Sequence, residues 1–236
     1  ALAHLPKTEL HQRLFIAWGL GHAQMWSGQI GAAEQTLTAA LRDAPDEPSF
    51  LIAKVTLLGT FGLLRCIQGR FKQGQQVYRQ AVEMTTRAGR PLPGIGVGLV
   101  HLELGQRLLE ENRLDEAEHY FQQAVTLAQL VDNNIIQAYT LSNLALIAYA
   151  RGEHARVWDY VARADQVAAQ FAVPAFLIID LHRVFLWLKY DNLQAAEAWS
   201  TTYAAALREQ GPLTFLDMGQ LTLARVWIYS KRYAKA

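Results

Sequence analysis

The sequence is poor in everything that would staple, anchor or steer a protein. One cysteine, Cys66, stands in 236 residues. A lone thiol cannot build a disulfide framework, so disulfide-rich secreted scaffolds are excluded and a reducing, cytoplasmic setting is expected. Basic residues exceed acidic ones by a single charge, 22 against 21. That balance offers no basic footprint for nucleic acid and none for an anionic membrane surface. Residues Ala1 to Leu10 lack the basic region and apolar run of a secretory leader. The stretch Phe171 to Leu188 reads as the most apolar, but Pro174, Asp180, His182 and Arg183 interrupt it. A membrane span needs about 20 mostly apolar residues, so this stretch is read as a loop followed by a buried helix. No segment shows the period-two alternation of a strand, which leaves helices.

What is present is a repeat. Gly28, Gly69, Asn112, Gly152, Asp191 and Lys231 recur at intervals of about 40 residues. Five residues after each sits a small side chain: Ala33, Gly74, Ala117, Ala196 and Ala236, with Val157 the exception. Seven residues before each, Gly21, Gly62, Gly105, Ala145 and Ala224 form a second small column, broken by Val184. The third copy is the clearest. Leu99, Leu102, Leu104, Leu108 and Leu109 recur at helical spacing, Glu111-Asn112-Arg113 breaks the pattern, and Leu114, Ala117, Phe121, Ala124, Leu127 and Ala128 resume it. This is a helix, a tight turn and an antiparallel helix. Gly105 and Ala117 are expected to let the two backbones approach, with Phe121 and Ala124 closing against the next copy.

The columns resemble the tetratricopeptide pattern but are longer, about 40 residues against 34. Joints carry the excess: Pro91, Pro93 and Gly94; Asn133-Asn134; Val173-Pro174; Gly211-Pro212. The expected fold is all-α, a tetratricopeptide-like right-handed superhelix of about eleven antiparallel helices forming a single helical-repeat domain over residues 1–236. The last copy reaches its first helix, Asp217 to Tyr229, and then only the column at Ala236. Terminal repeats normally present a polar cap, so the sequence is expected to be a fragment of a longer polypeptide.

Glycine spacing suggests phosphate binding at two places, and the residue types argue against both. Gly69 to Gly74 has P-loop spacing but continues Gln75-Gln76, without the lysine that would meet the β- and γ-phosphates. Gly94, Gly96 and Gly98 follow two prolines and have no βαβ context, so they read as a helix joint. Histidines 4, 11, 22, 101, 119, 154 and 182 show no pair at i, i+3 or i+4 on one helix, and no metal site is expected. Cys66 lies on an apolar helical background, as a buried structural thiol does. No nucleophile–base–acid arrangement is evident, so no enzyme is expected.

In stacked helical pairs the first helices line the inner side. The inward positions are Phe15, Trp18, His22 and Met25 in the first copy and Leu99, Leu102, Gln106 and Leu109 in the third. They continue with Tyr139, Ser142, Leu146 and Tyr149, then Ile178, Leu181, Phe185 and Leu188, then Met218, Leu221, Arg225 and Ile228. The stripe is either the wall of a ligand groove or ordinary core packing. Its polar and aromatic members nominate an effector site: Trp18, His22, Gln106, Tyr139, Ser142 and Arg225. The opposite stripe, Glu116, His119, Gln123, Arg156 and Asp159, is expected to be a solvated face.

Three regions carry a family resemblance. Ala1-Leu2-Ala3-His4-Leu5-Pro6, Ala17-Trp18-Gly19-Leu20, Ser27-Gly28-Gln29 and Ala32-Ala33-Glu34 are similar to the start of the helical-repeat region in large ATP-binding LuxR-type regulators of the MalT-like group. Leu109-Glu110-Glu111-Asn112-Arg113-Leu114-Asp115-Glu116-Ala117-Glu118 resembles its middle, and Leu223-Ala224-Arg225-Val226 its late segment. The resemblance implies a sensor region placed between an NTPase domain and a helix-turn-helix domain. Such a region receives a small-molecule inducer or a regulatory protein and biases ATP-dependent assembly. It implies no cofactor in this fragment and no direct nucleic-acid contact by it, with self-association a further expectation. The competing reading is a protein–protein scaffold with no small-molecule ligand.

Overall fold

The computed structural model describes residues 9–89, 92–170, 177–210 and 218–231. The described residues form eleven α-helices and no strand: α1 (Leu10–Trp26), α2 (Ile30–Asp43), α3 (Leu51–Ile67), α4 (Phe71–Arg87), α5 (Ile95–Glu110), α6 (Leu114–Gln129), α7 (Asn134–Ala150), α8 (His154–Ala168), α9 (Leu177–Lys189), α10 (Leu193–Gln210) and α11 (Met218–Tyr229). A 3₁₀ turn, Pro48–Phe50, precedes α3. The fold is an all-α helical repeat. The joint positions Pro91, Val173-Pro174 and Gly211-Pro212, and the column residue Ala236, lie outside the described residues.

The repeat column has a backbone cause. Gly28, Gly69, Asn112, Gly152, Asp191 and Lys231 all take positive φ, between 55° and 79°. A residue in the left-handed region directly after a helix turns the chain back and lets the next N–H reach a carbonyl five residues earlier. Those bonds are present from Gln29 to Gln24, Arg70 to Arg65, Arg113 to Leu108, Glu153 to Ala148 and Asn192 to Trp187, at 2.8 to 2.9 Å. The glycine at Gly69 thus belongs to a helix cap, which accounts for it without a phosphate.

The small columns make room for rings as well as backbones. A Cβ on Gly62 would stand 2.5 Å from the Tyr78 ring, and one on Gly105 would stand 2.7 Å from Phe121. Phe121 therefore seats on the glycine of its own hairpin. On the other helix, a Cβ on Gly74 would meet Cys66 Sγ at 2.5 Å and the Gly62 carbonyl at 2.9 Å. The glycine run Gly94-Ile95-Gly96-Val97-Gly98 mostly starts α5: Gly96 sits against Thr56 and Gly98 against Ile136.

Contacts divide the chain into two compact units, Ala1–Thr140 and Leu141–Ala236. In the first unit α1 packs on α3 and α3 on α5, while each second helix packs on the first helices beside it. No comparable contact joins α2 to α4 or α4 to α6 among the described residues. First helices consequently crowd together and second helices splay. The second unit has cores around Ala145, Ala148, Val157 and Leu186, and around Val184, Leu188, Ala196 and Val226.

Pro48–Ile67 is long and apolar enough to cross a membrane, which the sequence reading had missed in favour of the Phe171 stretch. Ten residues of α3 are nonetheless buried. Its two cations, Lys54 and Arg65, pair with Asp46 and Glu34. The apolarity of α3 serves the core of the first unit, where it packs against α1, α2, α4 and α5.

Ala117 is fully buried in this hairpin. Ala117→Leu should overpack it and cost on the order of 1–3 kcal/mol, read as a lower midpoint in chemical denaturation. An unchanged midpoint would mean that the pairing of α5 with α6 is not set by this column.

Candidate functional site

The helix α5 is apolar except for His101 and one polar stripe. Glu103, Gln106, Arg107 and Glu110 fall at i, i+3, i+4 and i+7, which places them on a single face. Leu102, Leu104 and Leu108 fix that helix in the core. Cys66 of α3, Tyr78 of α4 and Tyr139 of α7 gather around the stripe within the first unit. The Tyr78 hydroxyl donates to Glu103 Oε2 at 3.2 Å. The Gln106 amide donates to the Tyr139 hydroxyl. The Arg107 guanidinium pairs with Glu110 at 2.8 Å.

This cluster is electrostatically costly. Burial pushes the Glu103 carboxyl above the ordinary glutamate range, against the opposing pull of Arg107 and Tyr78. Burial likewise raises the Tyr139 hydroxyl, helped by the nearby Glu103 charge, and raises the Cys66 thiol. Arg107 Nε is buried and has no hydrogen-bond partner among the described residues. A shielded N–H without an acceptor is uncommon in folded proteins and calls for an explanation.

A second such donor lies on α1. Trp26 Nε1–H donates to His22 Nε2 at 2.8 Å. His22 Nε2 is therefore the acceptor, and the ring proton resides on Nδ1. That Nδ1 is buried without a partner, and burial lowers the pKa of the ring, which keeps it neutral near neutral pH. Phe15, Trp18, His22 and Trp26 form a ladder of ring contacts along the same helix. The Trp18 indole donates to Thr60 Oγ1 at 2.8 Å, tying α1 to α3.

Of the six nominated residues, Trp18, His22, Gln106 and Tyr139 belong to the first unit, and the structure joins Gln106 directly to Tyr139. Ser142 and Arg225 belong to the second. Ser142 Oγ lies 2.9 Å from His182 Nδ1, and burial lowers the pKa of that imidazole to about 4. Arg225 is exposed on α11, beside the exposed Leu221 and Ile228. Of the inward stripe, Met25, Leu102 and Leu188 are buried core, and the side chain of Ile178 lies outside the described residues. Glu103 and Arg107 were missed. Opposite charges four residues apart inside an apolar helix were the available signal. On the opposite stripe Glu116, His119, Arg156 and Asp159 are exposed and Gln123 is half-buried, and His119 and Gln123 border a cavity. Among the described residues no three His, Cys, Asp or Glu side chains converge as a metal-binding set.

Stacked helical hairpins with crowded first helices define a tetratricopeptide-like repeat region. The chain belongs to the MalT-like tetratricopeptide region family, whose model matches residues 1–236. No curated protein matches it in sequence. Aspartyl phosphate phosphatase F from Bacillus subtilis shares its fold at a TM-score of 0.69 and 11% identity, over 96% of this chain and 57% of that one. A signal transduction ATPase with a tetratricopeptide repeat sensor from Pyrococcus horikoshii superposes at 0.55 and 16% identity, over 98% of this chain and 36% of that one. The Rap conjugation gene regulator of plasmid pLS20, solved with the Phr* peptide, superposes at 0.53 and 15% identity, over 98% of this chain and 65% of that one.

Because the folded chain holds the Glu103 proton more tightly than the unfolded chain, this carboxyl weighs against folding increasingly as pH rises above 4.5. Glu103→Gln should therefore gain thermal stability over the parent at about pH 7.5, with the gain shrinking toward about pH 4. Melting curves of both proteins across that range give the test. A difference independent of pH would mean that Glu103 is not titrating in a buried site.

Proposed function

We propose that this chain is the effector-receiving region of a MalT-like, LuxR-type transcriptional regulator that works in the cytoplasm. The carrying observation is the pair of buried N–H donors without acceptors, His22 Nδ1 and Arg107 Nε, on first helices of the same unit. A folded domain that only packed its first helices would gain by filling these positions with apolar residues. Donors left open fit a group that arrives from outside. The fitting group carries an acceptor, a carbonyl or a carboxylate, and Arg107 favours the carboxylate.

The wider comparisons support a sensing role. One solved neighbour carries a tetratricopeptide repeat sensor, and another, a conjugation gene regulator, was solved in complex with a peptide. In this reading the region binds and does not catalyse, needs no cofactor of its own, and leaves ATP and DNA to other domains of the regulator. Gln106 and Tyr139 orient the incoming group beside Arg107, and Trp18 offers an aromatic wall near His22. Arg225 on the second unit is a further docking cation.

The experiment is a thermal-shift screen of the chain against small carboxylates, neutral metabolites and short peptides. A compound recognised here should stabilise the parent, and its affinity should fall at least about tenfold in Arg107→Gln. Arg156→Ala, on the outer face, should leave it unchanged, and Arg225→Ala reports separately on the second unit. A compound that binds Arg107→Gln as tightly as the parent would contradict the inner-face assignment. Stabilisation by peptides alone would favour a scaffold.

A further inference from the structure

We propose that the wedge between α4 and α6 is a binding site for a small uncharged molecule bearing N–H or O–H donors on an aliphatic body. The site stands apart from the α5 stripe and does not depend on the sensor reading. It arises because the second helices splay: the gap between α4 and α6 is floored by α5 and has a volume of about 430 Å³, within the range of small-ligand sites.

The repeat itself marks the position. Four residues before the small column of the first helices stand Ala17, Leu58 and Leu141, all buried and apolar. The third copy puts His101 there, equally buried, on the floor of the wedge. The fifth and sixth copies have Asp180, partly exposed, and Gln220, exposed, at this position, so among the copies that bury it the third alone makes it polar, beside a wall that is also polar. His101 Nδ1 lies 2.8 Å from the Val97 carbonyl, which only accepts, so the ring proton is on Nδ1. The Gln123 carboxamide hydrogen-bonds the His101 side chain and also reaches to within 2.9 Å of His119 Nε2. Burial keeps His101 neutral near neutral pH.

The wall's inventory of donors and acceptors sets the ligand class. The hydroxyl protons of Thr85 and Thr126 are spent on carbonyls of their own helices, Val82 at 2.7 Å and Gln122 at 3.1 Å. Their oxygens remain as acceptors, which the donors of a ligand can fill. Among the described residues no Asp, Glu, Lys or Arg lines the wedge, so a formal charge on the ligand would find no partner there. Leu92, Val97 and Leu127 supply the apolar flank for an aliphatic body. Primary amides and alcohols share this chemistry.

The test is an NMR titration of the chain with four probes of one shape: isobutyramide, isobutyl alcohol, isobutyrate and isobutylammonium. The amide or the alcohol should shift the His101 and Thr126 signals saturably, and the two ions should not. Thr126→Val, isosteric and at an exposed position, combined with Thr85→Val, should weaken the neutral probe at least about threefold. No saturable shift with either neutral probe would overturn the proposal, as would equal binding of an ion or unchanged affinity in the double variant. If the double variant fails to fold, Thr126→Val alone decides by the same criterion.

Discussion

Everything in this chain hangs on a residue held in the left-handed region at the end of each first helix. That conformation folds the next helix back antiparallel and satisfies a carbonyl that the helix end would otherwise leave open. Three of the six positions use Gly28, Gly69 and Gly152. The others use Asn112, Asp191 and Lys231, which adopt the same φ at a steric cost. Once the turn is fixed, the small columns fall opposite the partner helix, and the rings of Tyr78 and Phe121 seat on Gly62 and Gly105. Seated rings draw each hairpin together. First helices then meet along one side of the first unit while second helices diverge on the other.

That asymmetry creates two different surfaces. Crowding on one side buries the α5 stripe, so that Glu103 loses hydration and Arg107 and His22 hold donors without acceptors. Splaying on the other side opens wedges, one of them floored by His101. Both surfaces sacrifice stability relative to an apolar filling, as binding sites in marginally stable folds commonly do. The Cys66 thiol, the Tyr78 hydroxyl and the Glu103 carboxyl share the first burden, since burial raises the pKa of each.

The fold was legible because its determinants are local. A glycine or asparagine column of about 40 residues, flanked by small side chains, needs only the helix-cap geometry to be read. The site was less legible because it depends on which neighbour each side chain meets. Gln106 and Tyr139 were nominated and do meet, but Gln106 turns its amide to Tyr139. Ser142 meets His182, one repeat further along, where the inward count had stopped at its neighbour Leu181. Glu103 and Arg107 passed unnoticed because the inward positions were counted along an apolar stripe, and the charged stripe lies beside it. His119 is exposed as expected, but the wedge that it and Gln123 border comes from the splay of α4 and α6, which the sequence of either helix does not encode.

The receiving role of the inner face turns on one hydrogen atom. The ¹⁵N-edited NMR signal of Arg107 Nε–H reports whether that buried donor gains an acceptor. When a compound that stabilises the chain is titrated to saturation, the account predicts a downfield shift of this signal and slower exchange with water. A signal unmoved at saturation, with the compound demonstrably bound, would contradict it and place recognition elsewhere on the repeat.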